Sequence, residues 1–181
     1  KLAVKLKEII REDKVDLVLM GILYNYFGKL IRHGGFFNNN YPRLFRKNVY
    51  LKVYDKREEF IHCAFYSLKQ KVKNRIKLPL AYYIEHAPYP SVKRYIDKTI
   101  GKYALVEAEN LFKSGERFKL HKLIFQPMKF FVLMYILRAG FLDGLAGLIL
   151  ASLYAMFRFA VWANLWFLES SALERHQAKA E

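Results

Sequence analysis

The stretch from Pro127 to Leu168 limits what this chain can fold into more than any other. It holds two apolar segments joined by a short hinge, Arg138-Ala-Gly-Phe-Leu-Asp143-Gly144. From Leu145 to Leu168 only Arg158 is charged. That length is enough to cross a bilayer, which takes roughly 20 apolar residues. An arginine near the middle of a span costs about 2.5–3.5 kcal/mol, however. The preceding segment, Leu123 to Leu137, is shorter than a span and carries Lys129. The pair predicts a helical hairpin that lies in a membrane interface or covers a large apolar surface. A true span and a buried hairpin of a soluble core are the alternatives. Trp162, Trp166 and Tyr154 suit the interface, where amphipathic rings are at home. An unpaired buried Asp143 would be expensive, so Asp143-Gly144 predicts a cap for the second helix.

Charge narrows the partners. Thirty-one Lys and Arg against 16 Asp and Glu give the 181-residue chain a net charge of +15. Such a field attracts nucleic acid, anionic lipid headgroups or phosphorylated substrates. Because it accompanies a long apolar hairpin, an anionic membrane surface is the most economical partner. Nucleic acid is the weaker alternative, since the basic residues spread along the chain without a recognition helix. Cys63 is the single cysteine, which excludes an internal disulfide and fits a reducing compartment. The first residues already read as an amphipathic helix, with no leader before them, which predicts a piece of a longer protein.

Upstream of the hairpin, periodicity predicts a surface helix over Lys1 to Glu12 and a buried strand over Val15 to Leu23. A long irregular loop from Tyr24 to Pro42 follows, marked by Gly34-Gly35, the Asn run and Pro42. Short strands are predicted at Arg43–Arg46, Val49–Tyr54, Phe60–Phe65 and Leu78–Ile84. Lys69 to Lys77 reads as a solvated basic connector. Ser91 is placed to cap a long helix that runs to Lys113 and stops at Ser114-Gly115, with Val92, Tyr95, Ile96, Ile100, Tyr103, Ala104, Glu107 and Leu111 on its apolar stripe. The order of elements is that of an α/β or α+β fold with its helices gathered at the C-terminal end. Residues 1–113 form one part, 114–170 the hairpin and 171–181 a polar tail.

No phosphate loop, zinc-spaced Cys/His set, nucleophile elbow or Asp-x-Asp pair is present. The best candidate contact is Arg32-His33-Gly34-Gly35, leading to Arg43: adjacent glycines let backbone approach a ligand, and the arginines can fork onto phosphate or carboxylate oxygens. The bland alternative is an ordinary turn with solvated arginines. His62, preceded by Glu58 and Glu59, has the residue types for acid or base work, although a lone His is more often structural. His86 and Lys98 bracket the start of the long helix, where they fix the turn or meet an anion.

Four blocks in order carry a resemblance. They are Gly28-Lys-Leu-Ile-Arg-His-Gly-Gly35 with Arg43-Leu-Phe-Arg-Lys47; Ile61-His62; Ile84-Glu-His86 with Tyr89, Ser91, Tyr95 and Lys98; and Tyr135-Ile-Leu-Arg-Ala-Gly-Phe-Leu-Asp-Gly144 with Gly147. Together they resemble the C-terminal half of a bacterial family 2 glycosyltransferase, of the subgroup that includes lipopolysaccharide core-sugar transferases. The resemblance implies the C-terminal part of a GT-A-type fold: few short strands, a long helix and a C-terminal apolar helical hairpin. It implies transfer of a sugar from a nucleotide sugar donor to a lipid-linked or lipopolysaccharide acceptor, at the cytoplasmic face of the inner membrane. A divalent metal, Mg or Mn, is implied for the full-length enzyme, with its ligands in a first half that this chain lacks; the piece alone is expected to be inactive. Where the family commonly has Val-His-Glu, this chain has Ile61-His62-Cys63, so either Glu58 or Glu59 supplies the catalytic base beside His62 or this copy is impaired. Where the family has Trp-Tyr-Pro-Asp after the glycines, this chain has Phe36-Phe37-Asn38-Asn39. A non-enzymatic basic protein of the membrane interface is the alternative reading.

Overall fold

The structure, a computed structural model, describes residues 1–36, 38–53, 71–79 and 81–177. The fold is mixed α/β, with a small sheet and a long C-terminal helix. The chain divides into two compact units: Lys1–Tyr24 with Phe37–His86, and Asn25–Phe36 with Ala87–Glu181. This division differs from a boundary at residue 113.

In the first unit, helix α1 (Leu2–Glu12) turns Leu2, Leu6 and Ile9 toward one face of strand β1 (Leu17–Tyr26). The helix ends where Asp13 adopts a left-handed conformation and its N–H returns to Ile9 O. Strand β1 is flanked by partners, antiparallel to β3 (Asn38–Phe45) and parallel to β4 (Arg75–Lys77). Being covered on both faces explains its unbroken apolar run. Val18 and Met20 pack under α1 with Leu78, while Leu17 and Leu19 pack with Val72, Val49 and Tyr50. The period of two is that of a strand.

Three expectations in this unit are corrected. Val49–Tyr54 is not a strand: α2 (Lys47–Val53) is helical. Its start is set by Arg46, whose guanidinium is held by Asp13 and Asp16 and whose carbonyl accepts from the N–H of Val49 and Tyr50. This anchoring overrides the strand propensity of valine and tyrosine. The basic run is not merely a connector, because Arg75–Lys77 forms β4 through backbone pairing that leaves its side chains in solvent. Strand β5 is Tyr83–Tyr89 rather than Leu78–Ile84, since Tyr82 N–H closes a turn on Pro79 O at 3.0 Å. The expected strand Phe60–Phe65 lies outside the described residues.

In the second unit, the predicted long loop is broken by a tight hairpin. Phe27 and Gly28, with φ of 54° and 79°, turn the end of β1 into β2 (Lys29–Ile31). Two central residues at positive φ match the twist of a two-residue hairpin, and Gly28 takes that conformation without strain. Phe27 N–H is satisfied by Tyr89 O at 3.1 Å. Tyr26, Tyr89 and Tyr95 pack ring against ring beside Phe36, and burial pushes the Tyr95 phenol far above its ordinary pKa.

Helix α3 follows, capped as expected by Ser91 Oγ, which accepts from Arg94 N–H at 3.2 Å. It begins as an α-helical turn, Val92–Tyr95, widens to π geometry over Ile96–Tyr103 and returns to α geometry over Ala104–Lys113. The wider turn shifts the buried stripe. Thr99, Ala104 and Ala108 are buried, while Ile96 and Tyr103, expected inside, are exposed. The helix stops at Ser114-Gly115 as predicted, with Gly115 at φ 86°.

Helix α4 is α-helical over Leu120–Val132 and π-helical over Leu133–Leu137. A 3-10 turn, Gly140–Asp143, leads into helix α5 (Gly144–Gln177). The helical hairpin is as expected, but its first arm begins earlier than Leu123. Leu120–Leu137 is 18 residues, so both arms are long and apolar enough to cross a membrane by length and composition. Almost none of the first arm and a third of the second is buried, unlike the central helix of a soluble core. Of the rings expected at an interface, Trp166 is exposed whereas Trp162 is buried.

Candidate functional site

The hinge of the hairpin organises the second unit. Ala139, left-handed at φ 54°, ends α4, and the 3-10 turn folds Gly140 back against the start of α5. The approach is close enough that a Cβ on Gly147 would fall on Gly140 O, and one on Gly140 would lie 2.5 Å from Met134 O. Only glycine at both positions lets the two backbones meet.

This contact presents Asp143 to the Arg32–Gly35 segment. Asp143 Oδ2 accepts from the backbone N–H of Arg32 at 3.1 Å and of His33 at 2.8 Å. Oδ1 lies 3.1 Å from His33 Nδ1. The Asp143 side chain is 8% exposed and that of His33 38%. The expectation that Asp143 caps α5 is therefore corrected: its carboxylate is spent on the loop. A buried carboxylate is stable only when its lone pairs are filled, and here three donors fill them. The contact also fixes the imidazole by its Nδ1 edge. Among the described residues, Nε2 meets no hydrogen-bond partner.

The two glycines complete the clasp. Gly34 N–H donates to Arg138 O at 2.9 Å, and the Arg138 side chain lies across Gly35, where a Cβ would overlap it. Gly34 and Gly35 sit at φ 71° and 81°. Their role is to let backbone pass under Asp143 and Arg138, which sequence alone left open between a ligand loop and an ordinary turn. Asp143→Ala would strip acceptors from two backbone N–H groups and the ring, and is expected to cost about 1–2 kcal/mol. Urea unfolding in detergent checks this; an unchanged midpoint would mean the carboxylate does not hold the loop.

The other residues singled out are dispersed. Lys98 lies in the second unit, its ammonium 5.7 Å from the Tyr89 ring and 5.6 Å from the Tyr103 ring. Arg43 and His86 belong to the first unit. There Arg43 lies over Tyr41 at 5.4 Å, and His86 meets Tyr24 edge-on at 5.5 Å. His62, Glu58, Glu59 and Cys63 lie outside the described residues. Among the described residues no group of three or more His, Cys, Asp or Glu is placed to hold a metal ion.

Two residues were missed from sequence. Arg138 read as part of a hinge, and Arg158 read only as an obstacle to insertion. Arg158 in fact ties three helices together. Its guanidinium pairs with Glu107 of α3, donates to Gln126 Oε1 of α4 at 2.8 Å, and lies over the Phe130 ring at 5.0 Å. Glu107 at three- and four-residue spacing within an apolar stripe was the available signal for a buried partner.

The chain matches no family model and no solved structure.

Proposed function

We propose that this chain is the acceptor-side and membrane-associating part of a family 2 glycosyltransferase with a GT-A-type fold. The observation that carries the reading is the Asp143 clasp. The two most specific blocks of the resemblance, residues 28–35 and 135–147, are separated by about a hundred residues of chain, yet they meet through hydrogen bonds and glycine contacts.

In this reading, the apolar arms of α4 and α5 hold the enzyme at the cytoplasmic face of a bacterial inner membrane. The Arg32–Gly35 segment lies on the acceptor side. A carboxylate, Glu58 or Glu59, takes the proton of the acceptor hydroxyl as that oxygen attacks the anomeric carbon with inversion. The nucleotide sugar and the divalent ion, which offsets charge on the departing diphosphate, belong to the nucleotide-binding half of the complete enzyme.

The test is a radiolabelled nucleotide-sugar screen with the complete protein and membrane or lipopolysaccharide acceptors. Label is expected in the lipid or lipopolysaccharide fraction, and is expected to be absent with residues 1–181 alone. No transfer from any nucleotide sugar would leave the second reading, a non-enzymatic basic protein of the membrane interface, which the exposed apolar arms and the charge of +15 favour.

A further inference from the structure

Around the Asp143 clasp, the Arg32 and Arg138 guanidinium groups are left without acidic partners among the described residues. Asp143 is the acid within reach, and its oxygens are occupied by the Arg32 and His33 N–H groups and by His33 Nδ1. Arg32 and Arg138 are exposed, and among the described residues neither side chain has a carboxylate partner. The Arg138 guanidinium rests on Gly35, beside a segment whose backbone is fixed from below. His33 Nε2 faces away from the carboxylate that orients the ring. Arg32 and the oriented His33 imidazole precede the double-glycine turn, and the Arg138 guanidinium lies over Gly35 from the neighbouring hinge. Guanidinium forks and an imidazole N–H are donors that suit phosphoryl oxygens.

What lies next to these donors identifies the source of the phosphate. The hinge that carries Arg138 and Asp143 is flanked by the most exposed apolar side chains among the described residues of the unit: Leu137 is 73% exposed and Leu145 71%, with Phe141 and Leu142 between them. An open apolar groove of about 380 Å³ runs along the same hairpin, lined by Met128, Phe131 and Ala155 among others. Cationic donors bordering an exposed apolar edge match a molecule with a phosphate at one end and hydrocarbon at the other. A soluble phosphate would have no use for that edge.

We infer that Arg138, Arg32 and His33 form a binding site for the phosphomonoester headgroup of a membrane lipid, with the lipid's chains lying against the Leu137–Leu145 hinge. A monoester offers three free oxygens to three donor groups, whereas a diester is encumbered on both sides. The site names a lipid class for the acceptor side of the proposed glycosyltransferase. It concerns binding alone, so its test needs no nucleotide sugar and succeeds or fails independently of sugar transfer.

The experiment is flotation of the 181-residue chain with phosphatidylcholine vesicles doped with phosphatidic acid. The comparison is with vesicles doped with phosphatidylglycerol to the same zeta potential. Tighter binding to phosphatidic acid is expected, and Arg138→Gln is expected to weaken it by about tenfold, the loss of one charge-assisted contact. Lys102→Gln, which removes the same charge from an exposed position on α3, should weaken both vesicles equally and slightly. Inorganic phosphate should shift the His33 ring signals in the NMR spectrum of the wild type and not of Arg138→Gln. Leu142→Gln should lower vesicle binding without altering the phosphate response. Equal binding to both vesicles, or an Arg138→Gln loss no greater than that of Lys102→Gln, would overturn the site. A phosphate response with no effect of Leu142→Gln would overturn the assignment to a lipid.

Discussion

Replacing Gly147 by alanine is expected to destabilise the helical unit by about 3 kcal/mol or more. The added methyl would occupy the position of Gly140 O and lie 2.9 Å from Gly140 C. Both are backbone atoms, so no rotamer change relieves the overlap, and the hinge itself must move. Because Asp143 and Arg138 sit on that hinge, the clasp on Arg32–Gly35 should loosen with it. Thermal unfolding in detergent, followed by circular dichroism, should show a midpoint lower by about 10 °C. Gly101→Ala is the matched control. Its nearest neighbour is Ile96 O at 3.7 Å, ordinary contact, and alanine is the better helix former there. Equal midpoints for the two variants would mean that the hinge tolerates a wider separation than the structure gives it.

The second large effect concerns the charge inside the bundle. Arg158 is 13% exposed and Glu107 38%, so the two partners stand in different surroundings. Glu107→Leu strands a nearly buried guanidinium on Gln126 and the faces of Phe130 and Phe157, at a cost of about 2–3 kcal/mol. Arg158→Met leaves behind a carboxylate that already reaches water, and should cost about 1 kcal/mol. The double variant should recover most of the loss, since Arg158 Nε has no hydrogen-bond partner among the described residues and an apolar pair of similar volume removes both charges together, leaving only the half-buried Gln126 Oε1 without its donor. Urea unfolding of the three variants measures the cycle. Additive losses would show that the pair is not coupled and that Arg158 is held by its aromatic contacts alone.

This pair also bears on the proposed association of the hairpin with a membrane. A lone arginine within α5 argued against insertion, but an arginine neutralised by Glu107 brings α3 along as part of the same bundle. The exposed residues of α4 and α5, among them Phe125, Met128, Phe159 and Phe167, then remain free of that charge.

Local chemistry settled a good deal from residues alone. The apolar run of β1, the Ser91 cap, the helix stop at Ser114-Gly115 and the two arms around residues 138–144 each announce themselves within a few positions, because periodicity, capping and glycine conformation are short-range effects. Partners chosen at long range left no such trace. Strand β4 shows three exposed side chains, two of them basic, since its pairing runs through backbone that every residue shares. Helix α2 forms because Arg46 is pinned by Asp13 and Asp16, about thirty residues away. Asp143 looked like a cap because capping is the local use of such a residue; its actual donors, Arg32 and His33, lie 111 and 110 residues away. A sequence displays which groups need a partner, burial being costly for each, but which partner comes within 3 Å is decided by the close approach of two backbones at Gly140 and Gly147.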